Sequence, residues 1–254
     1  MGILHYQQSG QGSDVVLIHG LFGSLENLNM VAKSLTATYR VTSVDVRNHG
    51  QSFHQNAMQY DELANDVEET LASLGISQYA LLGHSMGGKI AMQLALTQPS
   101  KVDKLIVADI APVQYPPHHN QIIEGLQSID LSVVKSRKDA DKQLASYVSE
   151  VGVRQFLLRN LAQSGGTFYF RCALDFISQN YHDIVLGYEG EGTFDKPTLF
   201  VKGGASNYIE SHHRDKIIKH FPHSQAKIIQ GAGHWLHAEK TTAFNKIVSD
   251  FLHG

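Results

Sequence analysis

The chain has 254 residues, 42% apolar and 18% charged, a composition that excludes a disordered chain and a length that suits a single α/β domain. A formal net charge of −3 leaves no basic surplus to displace counterions, which argues against a dedicated nucleic-acid binder. One cysteine, Cys172, excludes an internal disulfide and points to a reducing compartment, and no apolar run reaches the roughly 18 residues of a membrane span.

The first residues, Met1 to Tyr6, show neither the cationic nor the apolar region of a signal peptide, and a cytoplasmic protein is expected. Ile3 to Gln7 reads as a first strand, the turn residues Ser9 to Asp14 follow, and Val15 to Ile18 is a second strand. Those two are expected to pair as a hairpin. Leu28 to Thr36 is helical, Val41 to Val46 strand, and Asp61 to Leu74 a helix that stops at Gly75. Tyr79 to Leu82 is strand, Met86 to Gln98 helix, and Leu105 to Ala108 strand. The alternation predicts a parallel sheet covered by helices on both faces.

After Pro112 the rhythm changes. Between Val113 and Gly187 the apolar residues repeat at helical spacing, over Ile122 to Ile129, Ala140 to Val148 and Val153 to Leu161. Pro116-Pro117 and Ser164-Gly165-Gly166 interrupt the segment. The α/β pattern then resumes with strand Thr198 to Val201, a helix near His212 to His220, strand Ala226 to Ile229 and a last helix from Thr241 to Leu252. The expected organisation is a core of residues 1–112 and 188–254 with a helical cap, 113–187, inserted after the sixth strand of the sheet.

Gly83-His84-Ser85-Met86-Gly87 fits the pattern G-x-S-x-G. Where a strand turns abruptly into a helix, small flanking residues let a serine project its hydroxyl from the sheet edge. Strand before and helix after supply the context that the pattern requires. His19-Gly20-Leu21-Phe22-Gly23, after the strand Val15 to Ile18, sits where one half of an oxyanion hole belongs. Its partner is the Met86 amide, and the loop's donor is Leu21 or, second, Phe22. A dinucleotide fingerprint fails because Ile18 stands where its first glycine belongs.

These segments, with Asp45-Val46-Arg47-Asn48-His49-Gly50-Gln51-Ser52 and Gly231-Ala232-Gly233-His234, resemble the α/β-hydrolase superfamily over nearly the whole chain. His19 to Ser24, Asp109-Ile110-Ala111-Pro112-Val113 and Gly231 to Trp235 are similar, more closely, to the YbfF-type bacterial esterases. The resemblance implies hydrolysis of carboxylic esters with small acyl chains beneath a helical cap.

A hydrolase with this order needs its histidine last, and His234 follows the final strand in a Gly-rich loop. His237 is expected to point elsewhere, and the pairs His118-His119 and His212-His213 to be solvated, since neither has metal-site spacing. The usual acid position, past Thr198 to Val201, holds Lys202-Gly203-Gly204-Ala205-Ser206-Asn207, without a carboxylate before Glu210. The neighbouring strand ends in Asp109, and parallel strands lie only about 4.8 Å apart, so its carboxylate can reach the same imidazole. The resemblance points the same way. Asp109 is the first choice for the acid, Glu210 the alternative, and Ser206 a supporting hydroxyl. Asp45 is read as an anchor of its own loop and Cys172 as inert and buried. Phe22, His84 and Trp235 are candidates for the substrate pocket.

The function expected is a serine carboxylesterase acting through an acyl-enzyme on small acyl esters, with thioesters also open. It needs no cofactor and no metal, and takes a small-molecule ester as its partner, as a monomer or homodimer. Two alternatives share the same residues: a hydrolase-fold signalling receptor, and a carbon–carbon bond hydrolase or lyase.

Overall fold

The computed structural model describes residues 2–254. A seven-stranded sheet runs in the order β1-β3-β2-β4-β5-β8-β9. Its strands are β1 (Tyr6–Ser9), β2 (Ser13–Ile18), β3 (Tyr39–Val44), β4 (Tyr79–His84), β5 (Val102–Ala108), β8 (Thr198–Gly203) and β9 (Ser224–Ile229). All neighbours are parallel except β1, which lies antiparallel to β3. The expected β1–β2 hairpin is therefore not formed. Gly10 and Gly12 take φ of +81° and +107°, and their α-carbons pass against the carbonyls of Tyr39 and Thr38. That crossing delivers β1 to the far side of β3, where it pairs instead.

Helices α1 (Asn29–Leu35) and α11 (Thr241–His253) cover one face of the sheet, and α2 (Tyr60–Ser73) and α3 (Met86–Thr97) cover the other. β4 is buried along its full length, which is why it reads as an unbroken apolar run. α2 buries Leu63, Ala64, Val67 and Leu71, one stripe at helical spacing, while its remaining positions are largely polar. From β2 the chain goes out to β3 and returns across β2 to β4. Such a reversal opens a crevice at the strands' C-terminal ends, here between the loop at Gly20 and the turn at Ser85.

Residues 113–187 lie over that edge. They leave after β5, which is the fifth strand in chain order rather than the sixth, and return before β8. They contain α4 (Asn120–Gln127), α5 (Arg137–Leu144), α6 (Val151–Leu157), α7 (Leu174–Gln179) and α8 (Tyr181–Val185). They also contain a hairpin that helical spacing did not predict, β6 (Leu161–Ser164) with β7 (Thr167–Phe170). Gly165 and Gly166 both take positive φ, as a two-residue hairpin turn demands. The two ends of the insert are drawn together: Tyr115 N–H donates to Val185 O at 2.9 Å and Tyr188 N–H to Pro112 O at 3.3 Å. Lys89, on α3, donates its ammonium to the carbonyls of Val185 and Leu186. No helix among the described residues is long and apolar enough to cross a membrane.

Candidate active site

The turn at Ser85 is built by close backbone packing. A side chain at Gly83 would meet Gly87 O at 2.1 Å, and one at Gly87 would meet Ile18 O at 2.3 Å. Only glycine fits either position, so β4 and α3 can meet at an angle that no bulkier sequence allows. Ser85 itself takes φ +54°, a left-handed conformation that costs of order 1–3 kcal/mol. Its hydroxyl is thereby turned into the crevice at the N-terminus of α3.

The loop after β9 supplies His234. Ser85 Oγ lies 2.9 Å from His234 Nε2, and His234 Nδ1 lies 2.8 Å from Asp109 Oδ2. Asp109 is fully buried at the end of β5, also at φ +54°. Its carboxylate accepts the Gly203 N–H on Oδ1 at 2.9 Å and the Ser206 hydroxyl on Oδ2. The carboxylate bonded to His234 therefore comes from β5, while the β8 loop, where Ser206 stands, provides its hydrogen-bond donors. Glu210 begins a short 3₁₀ turn and pairs with His212 at 3.4 Å, away from the imidazole's bonded partner. His84 is buried and donates Nε2–H to the His234 carbonyl at 2.8 Å. Burial, reinforced by the neighbouring His237 and His234, holds its pKa well below the ordinary histidine value. A neutral ring thus supports the His234 loop.

Leu21 and Met86 line a pocket together with Ser85. Met86 opens α3, and the first N–H groups of a helix lack intrahelical acceptors. In the facing loop, Phe22 N–H already donates to His49 Nε2 at 3.1 Å, which removes it as a candidate donor. Burial lowers the His49 pKa to about 3, so the ring stays neutral and able to accept. Leu21 N–H has no acceptor among the described residues. Met86 and Leu21 are thus left with free backbone donors beside Ser85.

A cavity of about 200 Å³ opens beside Ser85 and His234. Phe22, His84 and Trp235 line it, as do Ile122, Val153 and Phe156 from the insert. Phe156 packs against Trp235 with ring centroids 5.7 Å apart. The walls are mainly apolar, and the polar atoms converge on the serine. A second, narrower pocket on the other side of Ser85 is bounded by Tyr60, Lys89, Tyr115 and Tyr181.

Several placements differ from those expected. His237, in the helical turn after His234, is buried, lines the main cavity and packs on His84 with ring centroids 4.4 Å apart. His119 and His213 are not solvated, since His119 lines both pockets beside Tyr181 and His213 is buried under Tyr115. Asp45 holds more than its own loop, binding Leu25 N–H at 2.7 Å and His5 Nδ1 at 2.7 Å as well as Gln51 N–H. Cys172 is buried, and burial pushes its thiol up to about 12. Tyr208, missed altogether, stacks on His234. Its one sequence signal is its place two residues after Ser206, in the loop that already faces the imidazole.

With this geometry in view, comparison with known proteins is decisive. The α/β hydrolase fold family model matches residues 15–241. The chain belongs to the α/β-hydrolase family. It is an enzyme of the serine-hydrolase class. Esterase YbfF of Escherichia coli (strain K12) is 37% identical over 247 residues, covering 97% of this chain and 95% of that protein. The sn-1-specific diacylglycerol lipase ABHD11 of Mus musculus is 40% identical over 246 residues, covering 94% of this chain and 80% of the lipase. Among solved structures, a marine microorganism esterase superposes with a TM-score of 0.95 at 37% identity, covering 98% of this chain and 99% of that one.

Proposed function

We propose that this α/β-hydrolase is a carboxylesterase for small acyl esters, working through a Ser85–His234–Asp109 triad and an acyl-enzyme. The observation that carries the reading is the unbroken hydrogen-bonded series from Ser85 Oγ through the imidazole to a buried carboxylate, at the mouth of an apolar cavity. His234 Nε2 takes the hydroxyl proton as Ser85 Oγ bonds to the acyl carbon, and the carbonyl π electrons move onto oxygen. The Met86 and Leu21 amides bind that oxyanion. When the intermediate collapses, the ester C–O bond breaks and His234 returns the proton to the departing alcohol. Water then attacks the acyl-enzyme, again losing its proton to His234, and Ser85 is regenerated as the carboxylic acid leaves. Asp109 fixes the imidazole's tautomer and faces the positive charge that forms.

The names of the two curated relatives, an esterase and a lipase, support ester chemistry over carbon–carbon cleavage or signalling. The insert's Ile122, Val153 and Phe156 sit where an acyl chain would extend, so residues 113–187 act as a cap that sets chain-length preference. The test is turnover of p-nitrophenyl acetate by wild type and Ser85→Ala, followed by a chain-length series of aryl esters and acyl-CoA thioesters. Ser85→Ala should lose about 10⁴-fold or more in kcat. Retained turnover in that variant would end the assignment.

A further inference from the structure

Tyr208 has more connections to the site than any residue outside the triad needs for packing alone. Its N–H donates to Ser206 Oγ at 3.2 Å, and that hydroxyl donates to Asp109. Its carbonyl accepts the Tyr115 hydroxyl. Its ring lies face to face with the His234 imidazole, centroids 3.8 Å apart and planes inclined by 17°. Its own hydroxyl meets His118 Nε2 at 2.7 Å, with His119 Nε2 at 3.4 Å. Burial pushes the phenol up, so it stays protonated, and it donates to His118 Nε2 when the His118 proton sits on Nδ1.

Resting on the triad reading, we infer that Tyr208 is a positioning residue for proton transfer: its ring holds the plane of the His234 imidazole and stabilises the imidazolium formed when Ser85 gives up its proton. A cation above an aromatic face is attracted by the ring's quadrupole, and a neutral imidazole is attracted far less. The stabilisation therefore appears as charge develops and favours the transition state over the ground state. The β8 loop is free for this task because the acid has moved to β5. In the usual arrangement that loop would have to present the carboxylate.

Glu239 accepts the Gly233 N–H at 2.7 Å, beside His234 in the same loop. Asp109 supplies the facing negative charge, and the Lys202 ammonium is occupied by the Ser206 carbonyl. Burial lowers His84 and His118, takes His119 to about 3 and takes His237 to about 4, so these rings are neutral near neutral pH. Removing the Tyr208 ring withdraws a stabilisation that only the charged imidazole receives. The acid limb of kcat/KM then moves down while the plateau falls.

The experiment measures pH profiles of p-nitrophenyl ester turnover for wild type, Tyr208→Phe, Tyr208→Leu and Tyr208→Gln, with thermal unfolding to establish that each is folded. Tyr208→Phe should keep the acid limb in place and stay within about threefold of the wild-type plateau. Tyr208→Leu should lose about tenfold in kcat and shift the limb downward by roughly 0.5–1 pH unit. Tyr208→Gln should behave like Leu and serves if Leu fails to fold. A limb that stays fixed in both non-aromatic variants, or a Phe variant as impaired as they are, overturns the inference. Ser85→Ala in the same assay separates the two proposals. If it still turns over, the triad reading falls; if it is inactive and the Tyr208 results are negative, only the role of Tyr208 is lost.

Discussion

The corners at Ser85 and Asp109 are built alike and used differently. Each residue follows a paired position on adjacent strands, His84 and Ala108, and each takes φ +54°. Each keeps its own N–H in the sheet: Ser85 donates to Ala108 O at 3.0 Å and Asp109 to Val201 O at 2.8 Å. Beyond that the two diverge. Ser85 is followed by a helix whose free amides point at the crevice, and its side chain opens into a cavity. Asp109 is followed by the buried Ile110 and Ala111, and its side chain is sealed beneath the β8 loop. At the same positive φ, one side chain opens into a cavity and the other is sealed beneath a loop.

The comparison can be broken in stages. Asp109→Asn keeps a residue that tolerates left-handed backbone but removes the negative charge. It should lower kcat by about 10⁴-fold with thermal stability nearly unchanged, read by steady-state kinetics and calorimetry. Gly87→Ala attacks the Ser85 corner instead, forcing a methyl onto Ile18 O, and should cost several kcal/mol of stability, on the order of 3 or more, in denaturant unfolding. Adding Ser206→Asp to Asp109→Asn returns a carboxylate to the β8 loop and should recover about ten- to a hundredfold of the lost rate. Ser206→Ala alone removes one donor to the acid and should cost about tenfold. Glu210→Gln should stay within about twofold of wild type, and a collapse there would move the acid to the β8 side.

Acid should weaken the fold for a related reason. His49 and His237 are buried with pKa values lowered to about 3 and about 4. Between pH 6.5 and 4 the unfolded chain binds protons that these rings refuse in the folded state, so stability falls as pH falls through that window. Each contributes about 1.4 kcal/mol per pH unit there. Thermal unfolding from pH 7 to pH 4.5 measures it, and His237→Gln should flatten the curve.

How much of this was legible follows from where each constraint acts. The Ser85 corner writes itself into sequence because it forces two glycines, Gly83 and Gly87, at fixed offsets. His234 is legible because a Gly-rich loop follows the last strand. The Asp109 corner leaves no such mark: the residue after it is Ile110, and only the missing carboxylate between Lys202 and Asn207, together with the family resemblance, directs attention there. β1 was misassigned because it is exposed throughout, so no alternation specifies a partner and the local turn signal misled. Tyr208 and His237 act through contacts between separate loops, which no local pattern records. Phe156 looked like any apolar helical residue until the packing of α6 placed it against Trp235.

The narrow neck of the insert, where Tyr115 meets Val185 and Tyr188 meets Pro112, has a consequence for how such enzymes diversify. A chain segment whose ends are pinned side by side has already met its closure cost, and doubling its length adds only about 0.6 kcal/mol. A change in the length of the segment above the neck therefore costs little in closure entropy. Closure entropy thus sets no tight limit on the length of this segment, and its packing against the rest of the chain does.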